Sequence, residues 1–120
     1  MRYLCLIYQD AARLADWSEQ LRLIRDERLA MDEELRARGY LLASALLQPA
    51  SAATAFRVRG GALSILDSPS AQATTPLAAV YLLDARDLNG AIRLAAQLPL
   101  ARLGCVEVRP LQVPGPDELE

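Results

Sequence analysis

Histidine is absent from the 120 residues, and so is lysine: all 13 cations are arginines. Without histidine, Ser–His–Asp and Cys–His nucleophilic systems are excluded, and so is a His–Asp dyad. The two cysteines, Cys5 and Cys105, stand a hundred residues apart with no CxxC pair, and no His, Cys or carboxylate cluster has metal-ligand spacing. No cofactor is therefore expected. Nor is there a glycine-rich phosphate loop, because Gly60-Gly61 falls between two strand-like runs rather than between a strand and a helix. The formal net charge is −2 with no basic stripe, which argues against nucleic acid. No apolar run approaches the ~20 residues that span a bilayer, so no membrane partner is expected. The start, MRYLCLIYQD, lacks the length and cleavage site of a signal peptide. These absences lead to the expectation of a cytoplasmic protein.

What is present is ordinary globular material, 52% hydrophobic and 23% charged. A chain of this size forms one domain and buries roughly 65% of its unfolded surface. Both cysteines lie in apolar strands and read as buried free thiols; a disulfide would require the first and last strands to be neighbours.

Tyr3 to Tyr8 is apolar throughout, as in a central strand covered on both faces. Asp16 and Glu19 have capping-box spacing and open one long helix. Its buried stripe is Trp17, Leu21, Ile24, Met31 and Leu35, interrupted by Arg28. Asp32–Arg36 and Glu34–Arg38 are pairs four apart, assigned to the exposed face. Gly39 stops the helix. Tyr40 to Leu47 follows as a strand, although its alanines and leucines also fit a helix. Thr54 to Arg59 and Ala62 to Leu66 form a hairpin around Gly60-Gly61, and Ala79 to Asp84 is the next strand. Asp84 or Asp87 caps a second helix with inner face Leu88, Ala91, Ile92, Ala95 and Leu98, ended by Pro99. Gly104 to Arg109 alternates as a last strand with Val106 and Val108 inward. The order predicts an α+β fold, a ferredoxin-like sandwich with two helices on one sheet face. The strands are apolar on both faces, so the second face is expected to meet its copy in a homodimer.

The start RYLCLIY, the stretches LLASALLQPASAATAFRVRGG and LDSPSAQATTPLAAVYLLDARDL, and the ending ARLGCVEVRP together resemble the DGPF group of YCII-related proteins. The resemblance runs to about Leu111, giving a domain over 1–111 and an acidic, turn-rich tail over 112–120 that is expected to be mobile. It implies a dimeric α+β barrel of two ferredoxin-like sheets packed face to face. It also brings a suggested catalytic His–Asp pair, which this chain cannot have, and an association with extracytoplasmic-function sigma factors. The group's signature reads roughly DGPFAETKEQLGGYYLID. Asp67, Pro69, Ala71, Leu77, Tyr81, Leu82 and Asp84 fit it, whereas Ser68, Ser70, Gln72, Thr74, Thr75 and Pro76 depart, and Ala78-Ala79 replaces a glycine pair. Nearly every charge of that loop has become a small polar group.

The functional expectation is a non-catalytic homodimeric module that binds a small molecule or acts in regulation. The alternatives are a small acid–base enzyme using Asp67 with Tyr81 or Arg57, and an accessory protein for a sigma factor. Ser44, Gln48, Arg57, Asp67 and Tyr81 are the candidate ligand-binding residues. Asp67 before Ser-Pro also reads as a turn former whose carboxylate bonds backbone amides. Arg28, on an otherwise apolar stripe, is a candidate anion ligand or a snorkelling side chain.

Overall fold

Strand Arg2–Gln9 (β1) lies inside a four-stranded antiparallel sheet of the computed structural model, which describes residues 1–10, 15–66 and 76–112. Its neighbours are Leu77–Asp84 (β5) and Gly104–Pro110 (β6), and Leu41–Leu46 (β2) extends the sheet beyond β5, giving the order β2-β5-β1-β6. The sheet strands and their helices follow the order β-α-β-β-α-β, an α+β arrangement. Ala55–Arg59 (β3) and Ala62–Leu66 (β4) form a separate two-stranded sheet. Gly60 and Gly61 turn that hairpin at φ +57° and +78°, values an L side chain rarely adopts.

Alternation along the strands decides what is buried. Tyr3, Cys5 and Ile7 of β1 face the helices together with Ala79, Tyr81 and Leu83 of β5, and all six are buried. Leu4, Leu6, Tyr8, Val80 and Leu82 point the other way and are only half-buried. The expectation that the first strand is covered on both faces is thus met on one face within a single chain.

The expected single helix is two: Trp17–Leu23 (α1) and Arg25–Ala37 (α2), parted at Ile24, whose ψ of 5° leaves the helical region. This turn keeps Ile24 against the core with Trp17, Leu21 and Met31. Asp16 makes no side-chain cap, and Glu19 pairs with Arg22 instead, so the capping box is not formed. At the other end Gly39 N–H donates to the Arg36 carbonyl and Tyr40 N–H to the Leu35 carbonyl, which is a Schellman closure.

Leu88–Ala96 (α3) is capped by Asp87, whose carboxylate accepts from Gly90 N–H at 2.8 Å; Asp84 instead pairs with the Met1 ammonium. Ala91, Ala95 and Leu98 are buried, but Leu88 and Ile92 of the expected inner face are nearly half exposed. They open onto an apolar groove of about 480 Å³ between α3 and β6.

The cysteines divide. Cys5 is buried and Cys105 exposed, both as free thiols, which corrects the expectation of two buried ones. Their strands do neighbour each other, but Cys5 lies opposite Val108 and Cys105 opposite Tyr8, so the thiols point to opposite faces of the sheet. The loop beginning at Asp67 and the tail from Pro114 lie outside the described residues.

Candidate functional site

Polar side chains gather between α2 and the sheet, where Asp32 is the only buried charged residue among those described. Arg28 and Asp32 are four apart on α2, so both reach the same side of the helix. Below them lies Tyr81 of β5, 1% exposed, with Cys5 beside it in register on β1. Asp32 is itself only 6% exposed, so its assignment to the solvent face with Arg36 is corrected: Arg36 acts on it electrostatically, but Asp32 belongs to the core. Glu34–Arg38 does form an exposed pair, at 3.5 Å.

Burial governs the charges here. It raises the Asp32 carboxyl above its ordinary 3.8, and the opposing pulls of Arg28, the Tyr81 hydroxyl and Arg36 do not cancel the effect. It also drives the Tyr81 phenol well up, helped by the neighbouring Asp32 charge. Burial pushes the Cys5 thiol to about 11, so at neutral pH it is a protonated, unreactive group. The Tyr81 hydroxyl and the Asp32 carboxyl are close enough for each to shift the other's titration. Two polar atoms are left over: Asp32 Oδ1 and Arg28 Nε are buried with no hydrogen-bond partner among the described residues. An orphaned acceptor and an orphaned donor in one cluster are chemically suited to a small group that both donates and accepts.

A second cluster lies on the open sheet face. The Tyr8 hydroxyl donates to Glu107 Oε1 at 3.1 Å, and Arg109 donates to Glu107 Oε2 at 2.6 and 3.2 Å. Arg109 is the main cause holding the Glu107 carboxyl below its usual range, with Tyr8 adding to it.

The residues selected from the sequence are scattered by comparison. Ser44 lies opposite Tyr81 across the β2–β5 ladder, but it is exposed on an edge strand while Tyr81 is enclosed. Gln48 lines a shallow recess of about 420 Å³ with Leu47, Pro49, Ala52 and Ala53. Arg57 is on the separate hairpin, opposite Ser64 and exposed. Asp67 is outside the described residues. Of the four that are described, only Ser44 and Tyr81 are brought together. Asp32 was missed, although its position carried a signal: four after Arg28 and three before Leu35, it sits on the buried stripe.

No group of three or more His, Cys, Asp or Glu side chains that could hold a metal ion occurs among the described residues, and no helix among them is long and apolar enough to cross a membrane. A family model for the YCII-related domain matches residues 1–113. The uncharacterized protein R00369 of Rhizobium meliloti (strain 1021) is 33% identical, over 99% of this chain and 98% of its own length. A match across nearly the whole sheet-and-helix framework, from β1 through β6, settles kinship: the chain belongs to the YCII-related domain family.

Proposed function

We propose that this protein is a non-catalytic homodimeric binding module, in which two ferredoxin-like sandwiches pack sheet to sheet as an α+β barrel. The observation that carries the reading is the open sheet face, where Leu4, Leu6, Tyr8, Val80 and Leu82 form a half-buried apolar patch bordered by the Tyr8–Glu107–Arg109 network. Burying the rest of five such side chains contributes roughly 1 kcal/mol each, about 10 kcal/mol over two copies. That is of the same order as the 4–15 kcal/mol lost in association, so the sheet faces alone give a weak dimer.

Sedimentation velocity tests the assembly. The wild type is expected to run as a dimer at tens of micromolar and Leu6→Glu/Val80→Glu as a folded monomer; a monomeric wild type overturns the homodimer. The ligand half of the reading is tested by a thermal-shift screen against small metabolites. A compound at about a hundredfold over its Kd adds about 2.7 kcal/mol. For a 120-residue domain that is a rise of about 10 °C. A hit that Asp32→Asn abolishes places the ligand at the α2 cluster. A hit abolished by Asp67→Ala, Ser44→Ala, Gln48→Ala or Arg57→Ala places it at the residues chosen from the sequence. A regulatory role with a sigma factor predicts that such a factor co-purifies from the native host.

Acid–base catalysis is the second reading. It is favoured by the Asp32–Tyr81 pair, whose raised values keep a proton available for donation. It requires that a screened ligand be turned over, with the rate lost in both Asp32→Asn and Tyr81→Phe.

A further inference from the structure

The β3–β4 hairpin has an apolar face that no other described residue covers. Its register pairs Phe56 with Ile65 and Val58 with Leu63, so these four large side chains share one face, while Arg57, Ser64 and Arg59 share the other. The four are 59–71% exposed. Neither hairpin strand joins the main sheet, and among the described elements the only one packed closely against each is the other. A two-stranded ribbon on its own is marginal in water.

We propose that this hairpin is a dimerisation arm, with Phe56, Val58, Leu63 and Ile65 packing against a second copy of the chain. The inference rests on the homodimer reading above and names the element that secures it. Besides the groove between α3 and β6, two apolar surfaces are uncovered among the described residues, the arm and the open sheet face, and a two-fold pairing supplies a complementary copy of both at once. Size points the same way. The arm offers on the order of 400 Å² of apolar surface, judged from the 150–250 Å² that a single aromatic side chain buries. Two arms therefore supply about half of the roughly 1,600 Å² in a standard stable interface. The sheet faces, already half-buried, provide the remainder.

The test uses the full-length chain. In sedimentation velocity across a concentration series, Phe56→Ser/Ile65→Ser is expected to weaken the dimer by a hundredfold or more, because each lost contact occurs twice. The opposite-face variant Arg59→Ser/Ser64→Glu is expected to stay within about threefold of wild type. Since the arm packs on no other element, both variants should keep the wild-type circular dichroism and Trp17 fluorescence. A direct readout needs no dissociation: p-benzoylphenylalanine in place of Phe56 should photo-cross-link two copies at low micromolar concentration. A dimeric wild type that neither cross-links through position 56 nor weakens on arm substitution overturns the arm while leaving the homodimer standing. A wild type that is monomeric throughout overturns both.

Discussion

Asp32→Asn should make the protein more stable relative to wild type as pH rises, and the direction is fixed by which force dominates at the α2 cluster. The carboxyl is enclosed, and the largest influence on it is the loss of solvation, which favours the neutral acid; Arg28, Tyr81 and Arg36 favour the anion less strongly. The folded-state value is therefore above the unfolded 3.8. A raised acid adds stability below the unfolded value, and that contribution is lost as pH climbs through the folded value. Asparagine cannot ionise and loses nothing over the same interval. Each unit of elevation corresponds to about 1.4 kcal/mol. With about 2.1 cal/mol/K of unfolding entropy per residue, that is a melting-temperature gap of about 5 °C per unit for 120 residues. The assay is calorimetry of both proteins from pH 3 to 8. All other titrating groups are common to the pair, so the difference between the two Tm curves isolates Asp32. The gap, Asn variant minus wild type, should grow from pH 4 upward and then level off. A gap that shrinks with rising pH would mean that Arg28 overcomes burial and that a buried ion pair holds α2 to the sheet, refuting the reasoning.

Three further outcomes follow from single residues. Gly104→Ala should lower stability by about 2–3 kcal/mol, about 10 °C in a melt, because its Cβ would stand 1.9 Å from the Tyr8 carbonyl oxygen where β6 begins pairing with β1. Asp87→Ala should lower it by about 1 kcal/mol through loss of the α3 cap, read as a matching fall in the urea midpoint with an unchanged slope. In the monomeric Leu6→Glu/Val80→Glu variant a maleimide should label Cys105 at once and Cys5 only on unfolding, counted by mass spectrometry, since burial both shields Cys5 and holds its thiol at about 11.

The parts of the fold that could be read from the sequence are those set by period and turn chemistry. The apolar run Tyr3–Tyr8, the Gly60-Gly61 hairpin, the Gly39 stop and the alternation of Val106 with Val108 each rest on a local rule, and each matches the elements found. What escaped either had a local signal that a commoner rule overrode or depends on partners distant in sequence. Cys105 was assigned to the core by the habit of its residue type, yet it alternates with Val106 and so must face away from it. Leu88 and Ile92 fit a helical stripe, but β6, under α3, is an edge strand, so the stripe extends past the sheet it covers. Asp32 fits both a surface ion-pair spacing with Arg36 and the buried stripe of Arg28 and Leu35, and the position of Tyr81 beneath it decides between them. The hairpin was foreseen as a hairpin; its separation from the main sheet was not, because strand pairing between non-adjacent elements leaves no local trace.

The two polar clusters differ in a way that bears on catalysis. Asp32 and Tyr81 have shifted values of the kind that acid–base chemistry uses, but both are more than nine-tenths covered, so a reacting atom would have to displace α2 to reach them. Tyr8, Glu107 and Arg109 are accessible, but their hydrogen bonds are already satisfied by one another, and Arg109 keeps the carboxylate ionised and weakly basic. One cluster has the perturbation without access, and the other has access without the perturbation. A sheet-to-sheet dimer would enclose the second cluster as well, desolvating Glu107 and raising its value toward a working range. Catalysis by this chain would then depend on assembly, so the dimer is the property to measure before any activity is sought.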